Sequence, residues 1–179
     1  MDSPSELLRL VLTRPATLDS GRLLCLDGPA GSGKTTLAGE IAALTSATLV
    51  HLDDLYDGWT GLPRIGEQLD GLLLPLARGE AGCYRRYDWH ADRYAETVTV
   101  TPSPLLVVEG VGAGASAYAS LRTLLVWVEA PDPVRLARWR ARDGVGAEPH
   151  IAAWERDQAA HFARERTREA ADVIWPAVR

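Results

Sequence analysis

Lysine is almost missing from this chain: of its 19 basic residues, all but Lys34 are arginine. A cation on this protein is ordinarily written as Arg, so the single place that carries the compact ammonium of lysine is one where that shape has a use. Cysteine is scarce too. Cys25 and Cys83 are too few for a disulfide framework, and Cys25 lies in an apolar run where a small buried thiol is the ordinary reading; neither suggests a metal site. Excess positive charge is absent: the net charge of -5 and pI near 5.4 provide no field to gather DNA or RNA, and no nucleic-acid partner is expected. No apolar stretch is long enough to span a bilayer, and Met1 to Ser20 lacks the basic start and apolar run of a signal peptide, so the expectation is a cytoplasmic protein without a membrane partner. Repeats, low-complexity tracts and linkers are also missing. With 179 residues, 46% hydrophobic and 24% charged, the chain has the balance of one compact domain over 1–179.

What is there alternates between two periodicities. Leu7, Leu8, Val11 and Leu12 follow Ser5 at helical spacing. The run 22–27 (RLLCLD) predicts a strand, 34–44 a helix, and 47–52 a second strand closing on Asp53-Asp54. From Ile65, the residues Leu69, Leu72, Leu73 and Leu76 predict a helix ending near Gly79. Segments 84–87 and 97–101 read as short strands or strand-like edges within a segment of about 82–101. LLVVE (105–109) and LLVWVE (124–129) are continuous apolar runs, the form of strands buried on both faces. A basic helix over 133–142, a glycine-containing loop, a second helix over 150–166 and a last strand over 171–175 complete the series. Strands alternating with helices in this way predict a three-layer α/β/α fold around a mainly parallel sheet.

Between the first strand and the next helix stands Gly28-Pro29-Ala30-Gly31-Ser32-Gly33-Lys34-Thr35, which fits G-x-x-x-x-G-K-[ST] in the strand-loop-helix context that this phosphate-binding motif requires. Such a loop turns its backbone N–H groups toward phosphate oxygens, and the helix that follows adds the positive end of its dipole. The expected ligand is ATP with Mg²⁺, contacted by Gly28, Ala30, Gly31, Ser32, Gly33, Lys34, Thr35 and Thr36. Lys34 reaches the β and γ phosphates, and the Thr35 hydroxyl faces Mg²⁺. A glycine-rich turn that merely connects strand to helix is the plain alternative.

Ligands of open parallel sheets lie beyond the carboxyl ends of the strands, where this sequence places Asp53, Asp54, Glu109 and Glu129. Asp53 or Asp54 can accept the proton of an attacking hydroxyl or help hold Mg²⁺, directly or through water; a turn or capping role is the alternative. Glu109, ahead of Gly110, is placed to orient a metal-bound water or a substrate hydroxyl. Glu129 reads as the cap of the next helix, and His51 as a satisfied strand histidine or a support for the acids.

The P-loop, the segment His51-Leu52-Asp53-Asp54-Leu55-Tyr56 and Val108-Glu109-Gly110-Val111, in that order, resemble the uridine kinase and phosphoribulokinase family over about 22–176. The resemblance implies that Asp53 is the catalytic base and that Tyr56 lines the substrate pocket. It also implies substrate contacts from Tyr87-Asp88-Trp89-His90 and Arg93, although uridine kinases carry their histidine and arginine farther beyond the Tyr-Asp pair. The 135–143 helix looks like the family's arginine-rich lid, with Arg138 and Arg142 as the residues that close on the phosphates; an exposed basic face is the alternative. The family's further lid arginines are replaced by Gly144-Val145-Gly146-Ala147, so the lid (138–149) is expected to be short. The function implied is an ATP-dependent kinase acting on a hydroxyl of a small, nucleoside-like molecule. A nucleoside monophosphate kinase would instead use Arg85, Arg86 and Arg93 as a phosphate pocket. The Asn-Lys-x-Asp guanine motif is absent, since the one lysine, Lys34, stands in the P-loop, and this disfavours a GTP switch; a nucleotide-dependent switch or accessory ATPase without a small-molecule acceptor is a third reading.

Overall fold

The computed structural model describes residues 3–144 and 146–177; Val145, in the expected lid loop, falls outside them. The elements in chain order are α1 (Pro4–Thr13), β1 (Arg22–Asp27), α2 (Lys34–Ala43), β2 (Thr48–His51), α3 (Ile65–Leu76), β3 (Gly82–Asp88), β4 (Arg93–Val100), β5 (Leu105–Glu109), β6 (Leu124–Glu129), α4 (Asp132–Asp143), α5 (Glu148–Glu165), α6 (Thr167–Ala170) and β7 (Val173–Pro176). Five strands form one sheet in the order β2-β5-β1-β6-β7, every neighbouring pair parallel. The three-layer α/β/α architecture expected from the alternation is the one observed.

Strand alternation divides the core into two faces. Leu23 and Cys25 of β1, with Leu106 and Val108 of β5, face a cluster completed by Ile65, Leu69, Leu72 and Leu73 of α3, Trp139 of α4, and Ile151 and Trp154 of α5. Leu24 and Leu26, with Leu105 and Val107, face the opposite cluster, built on Leu7 and Val11 of α1 and Leu37, Ala38 and Ile41 of α2. The uninterrupted apolar runs of β1 and β5 follow from this, because both faces of those strands are covered. Burial pushes the Cys25 thiol up to about 12, the mark of an inert core cysteine. α1 starts two residues earlier than Ser5 suggested: Ser3 caps it by accepting from the Glu6 N–H, with Pro4 in the first turn.

β3 and β4 form a separate antiparallel hairpin outside the main sheet, with a register shift between Arg85 and Tyr87. The hairpin lies along α3 at close range: a Cβ on Gly82 would stand 2.1 Å from the Leu72 carbonyl oxygen. It thereby carries residues 88–92 to the open end of the sheet. One expectation needs correction here. Glu129 does not cap the helix after β6, since Pro131 holds the cap position of α4; the Glu129 carboxylate instead accepts from Arg168 and the Trp127 indole, tying β6 to α6. No helix among the described residues is long and apolar enough to cross a membrane.

Candidate active site

Above the carboxyl ends of β1, β2 and β5 lies a cleft of about 890 Å³. Its floor is the loop between β1 and α2. Gly28 and Gly31 are required there by close approach as well as by positive φ: a Cβ on either would lie 2.1 Å from the main-chain oxygen of Val128 or of Arg135. Gly33, with φ 104°, is the left-handed residue that opens α2. That helix end has no side-chain cap and no acid in its first turn, so its N–H groups and dipole are left for an anion. Ser32 is fully buried, and its hydroxyl has no partner among the described residues. A free helix end, a buried orphan hydroxyl and a lysine suit the triphosphate and Mg²⁺ of a nucleotide.

Lys34 folds back over this loop, its ammonium donating to the carbonyls of Gly28 (2.8 Å) and Pro29 (2.9 Å). Burial lowers its pKa, with Glu109, Asp27 and Asp53 opposing that shift. Phosphate oxygens can take the place of both carbonyls as charge-assisted acceptors. Next to it, the Thr35 hydroxyl donates to Glu109 Oε1 at 2.9 Å, and the same oxygen meets His51 Nδ1 at 2.6 Å. Burial alone would push the Glu109 carboxyl up; the His51 bond, the Lys34 charge and the Thr35 bond outweigh it and hold the group below the ordinary glutamate value. His51 is raised in turn, chiefly by its bond to Glu109. Thr35 and Glu109 are thus a ready pair of oxygen ligands for a hard cation, and His51 fixes the carboxylate's orientation.

Asp53, just beyond β2, projects into the cleft with about half of its side chain (53%) exposed. Shielding by the cleft walls raises its pKa; Arg142 pulls it down and Glu109 adds to the rise. Arg142 contacts Asp53 at 3.4 Å and is held by Asp143 through two shorter bonds. Arg138, one helical turn earlier on α4, also lines the cleft and donates to the Ala177 carbonyl. Tyr56 is buried at the edge of the cleft, its hydroxyl donating to Val111 O.

Of the residues marked from sequence, Ala30, Gly31, Gly33, Lys34, Thr35, Thr36, Asp53, Tyr56, His90, Glu109, Arg138 and Arg142 share this one cleft. Gly28 and Ser32, in the same loop, are buried and do not line it. Tyr87 and Arg93 do not line it. The Tyr87 hydroxyl is taken by Asp92 (2.6 Å) inside the hairpin, and Arg93 sits at the start of β4 opposite Asp88. Trp89, of the same expected segment, does line the cleft, its indole donating to the Asp53 carbonyl. Trp59, Trp139 and Trp154 complete an aromatic half that sequence reading did not foresee; Trp59 stacks on His150 and meets Trp89 and Trp154 edge-on.

Asp27 was missed as well. It ends β1 directly before the P-loop, is fully buried, and accepts the N–H groups of Gly28, Gly112 and Gly114. Burial raises it to about 6, with those bonds and Lys34 opposing. The carboxylate joins the P-loop to the loop after β5, so the two sides of the phosphate floor share one anchor.

A parallel five-strand sheet between helical layers, with a P-loop at its carboxyl edge, is the three-layer α/β/α P-loop fold. Solved structures agree with that assignment. A possible uridine kinase from Bacillus stearothermophilus superposes with a TM-score of 0.66 at 19% identity, over 96% of this chain and 96% of that one. A candidate fructose transport system kinase from Silicibacter sp. TM1040 gives 0.69 at 26% identity, over 98% and 100% of the two chains. No family model and no curated protein sequence matches the chain.

Proposed function

We propose that the protein is an ATP-dependent kinase that transfers the γ phosphate of ATP to a hydroxyl of a small, unphosphorylated, nucleoside-like molecule. The carrying observation is that one cleft is lined by Lys34, Thr35 and Glu109, by Asp53, and by Trp59, Trp89 and Trp154, with the Trp89 indole on the Asp53 carbonyl. Mg·ATP supplies an electrophilic phosphoryl group and a leaving group whose charge is neutralised. Thr35 and Glu109 hold the cation, and Lys34 holds phosphate oxygens in place of the Gly28 and Pro29 carbonyls. Asp53 accepts the proton of the acceptor hydroxyl, a task its raised pKa favours. Arg142 and Arg138 balance charge on the migrating group, and the aromatic wall keeps water from competing for it.

The acceptor reading follows from what the aromatic half holds. Flat indole faces favour a ring, and the Trp154 indole N–H, buried with no partner among the described residues, is a donor left for an acceptor oxygen. The geometry disfavours a monophosphate acceptor, because none of Arg85, Arg86 and Arg93 lines the cleft and Arg86 is engaged with Glu96 through two bonds. Coupled measurement of ADP formation with nucleosides, pantothenate, sugars and nucleoside monophosphates tests the proposal. Turnover stimulated by an unphosphorylated ring-bearing alcohol is expected; stimulation by monophosphates alone, or by nothing in the panel, counts against it.

A further inference from the structure

Gln158 is a buried amide in the middle of α5, 4% exposed, with no place in the chemistry described above. An apolar side chain of similar volume would fill that position without needing partners, so a buried amide calls for an account of its bonds. Its Oε1 accepts the Ala30 N–H at 3.0 Å, and its Nε2 donates to Glu155 Oε1 at 2.6 Å. Glu155 closes on Arg135 of α4 through two bonds of 2.8 and 2.7 Å. The main-chain carbonyl of that same Arg135 packs so tightly on Gly31 that no Cβ fits between them. Two adjacent P-loop residues, Ala30 and Gly31, are therefore gripped by α4 and α5.

We propose that Gln158 is a positioning residue of the phosphate cradle: by fixing the Ala30 peptide plane it sets the direction of the N–H groups that follow in the loop, and it ties the loop to the α4–α5 pair. The inference rests on the reading of residues 28–35 as a nucleotide site. The Ala30 N–H itself points at the amide of α5. What Gln158 gives the nucleotide is orientation of its neighbours. On α5, His150, Trp154 and Gln158 follow at intervals of four along one face, so the helix that stacks on Trp59 and lines the aromatic half is also the one that holds the cradle. The cradle and the aromatic residues share a rigid support.

The test uses the full chain, with Mg·ADP as ligand. Gln158→Met removes both hydrogen bonds at nearly constant shape. Calorimetry should give a Kd for Mg·ADP raised about 3- to 10-fold, the size expected for loss of one orienting hydrogen bond, with a thermal midpoint within a few degrees of the parent. The Ala30 amide proton should move upfield in the ¹⁵N-correlated spectrum of the nucleotide-free variant. In the parent, the Ala30 amide should exchange with solvent slowly although Ala30 borders the cleft, a reading that needs no variant. An Ala30 amide that exchanges as fast as a free one overturns the proposal. Unchanged Mg·ADP affinity in Gln158→Met overturns it while leaving the nucleotide site intact. Affinity lost only in step with folded protein marks Gln158 as structural and also overturns it. A parent protein that does not bind Mg·ADP removes the nucleotide reading itself, and the proposal with it.

Discussion

Arg142 reaches from the last turn of α4 to Asp53, its Nη1 3.4 Å from Oδ2, while its Nε and Nη2 hold Asp143 at 2.6 and 2.9 Å. The two contacts differ in kind. The paired bonds to Asp143 fix the guanidinium plane, whereas the single long contact to Asp53 is the one an incoming phosphoryl oxygen can replace. The lid cation and the expected base are therefore neighbours before any substrate enters. Asp53→Asn keeps the shape and removes the proton acceptor. Turnover is expected to fall about 10²- to 10⁴-fold, with Mg·ATP affinity near that of the parent. Single-turnover kinetics beside a binding titration check this; retained turnover would take Asp53 out of the role of base.

The aromatic half should govern the acceptor alone. Trp59→Ala removes the ring that stacks on His150 and borders Trp89 and Trp154. Steady-state kinetics should show KM for the acceptor rising about tenfold or more, the range seen when stacked rings are lost at binding sites, while KM for ATP stays nearly level. Parallel changes in both constants would mean that the wall supports the fold rather than the acceptor.

Asp27 links pH to stability. Burial raises its pKa in the folded chain from 3.8 to about 6, so the native state prefers the protonated acid. The stabilisation from this group is complete below its unfolded value and is lost as pH rises through about 6, a contribution on the order of 1–3 kcal/mol. Denaturation of the parent at pH 5 and pH 7.5 should show that decline, and Asp27→Asn should flatten it. The same variant should lose stability at pH 5, because an amide cannot accept all three N–H groups of Gly28, Gly112 and Gly114.

The Arg135–Glu155 pair is buried on the arginine side, where the side chain is 7% exposed against 27% for Glu155. Glu155→Ala leaves the guanidinium with Asp132 alone among the described residues and should cost on the order of 3 kcal/mol of unfolding free energy. Replacing both members by Met should recover much of that loss. Urea denaturation of both single variants and the double variant tests this; losses that simply add would mean that the pair is not coupled.

How far the sequence discloses this molecule depends on the distance over which each signal acts. β1, β5 and β6 fall where their apolar runs predict, residue for residue, because a strand covered on both faces writes its own burial into the chain. The P-loop is legible for the same local reason: its geometry needs glycine, lysine and threonine at fixed spacing. The strand order is not local, and neither is the acceptor wall. Trp59, Trp89, Trp139 and Trp154 come from four separate segments, and only packing brings them together. Tyr87 and Trp89 are two residues apart in one hairpin, Tyr87 within β3 and Trp89 just past its end, so where the strand stops decides which of them meets the cleft. Asp27 resembles the other strand-end acids until the amides of Gly112 and Gly114, far along the chain, are seen to converge on it.

The most direct test of the central claim is to follow the γ phosphate itself. Terminally labelled ATP is incubated with Mg²⁺, the full chain and the acceptor panel, and the products are separated. The predicted result is label on an unphosphorylated ring-bearing alcohol, lost in Asp53→Asn and in Lys34→Ala. Label found only in inorganic phosphate, with no acceptor able to divert it, would contradict the account and leave an ATPase in place of a kinase.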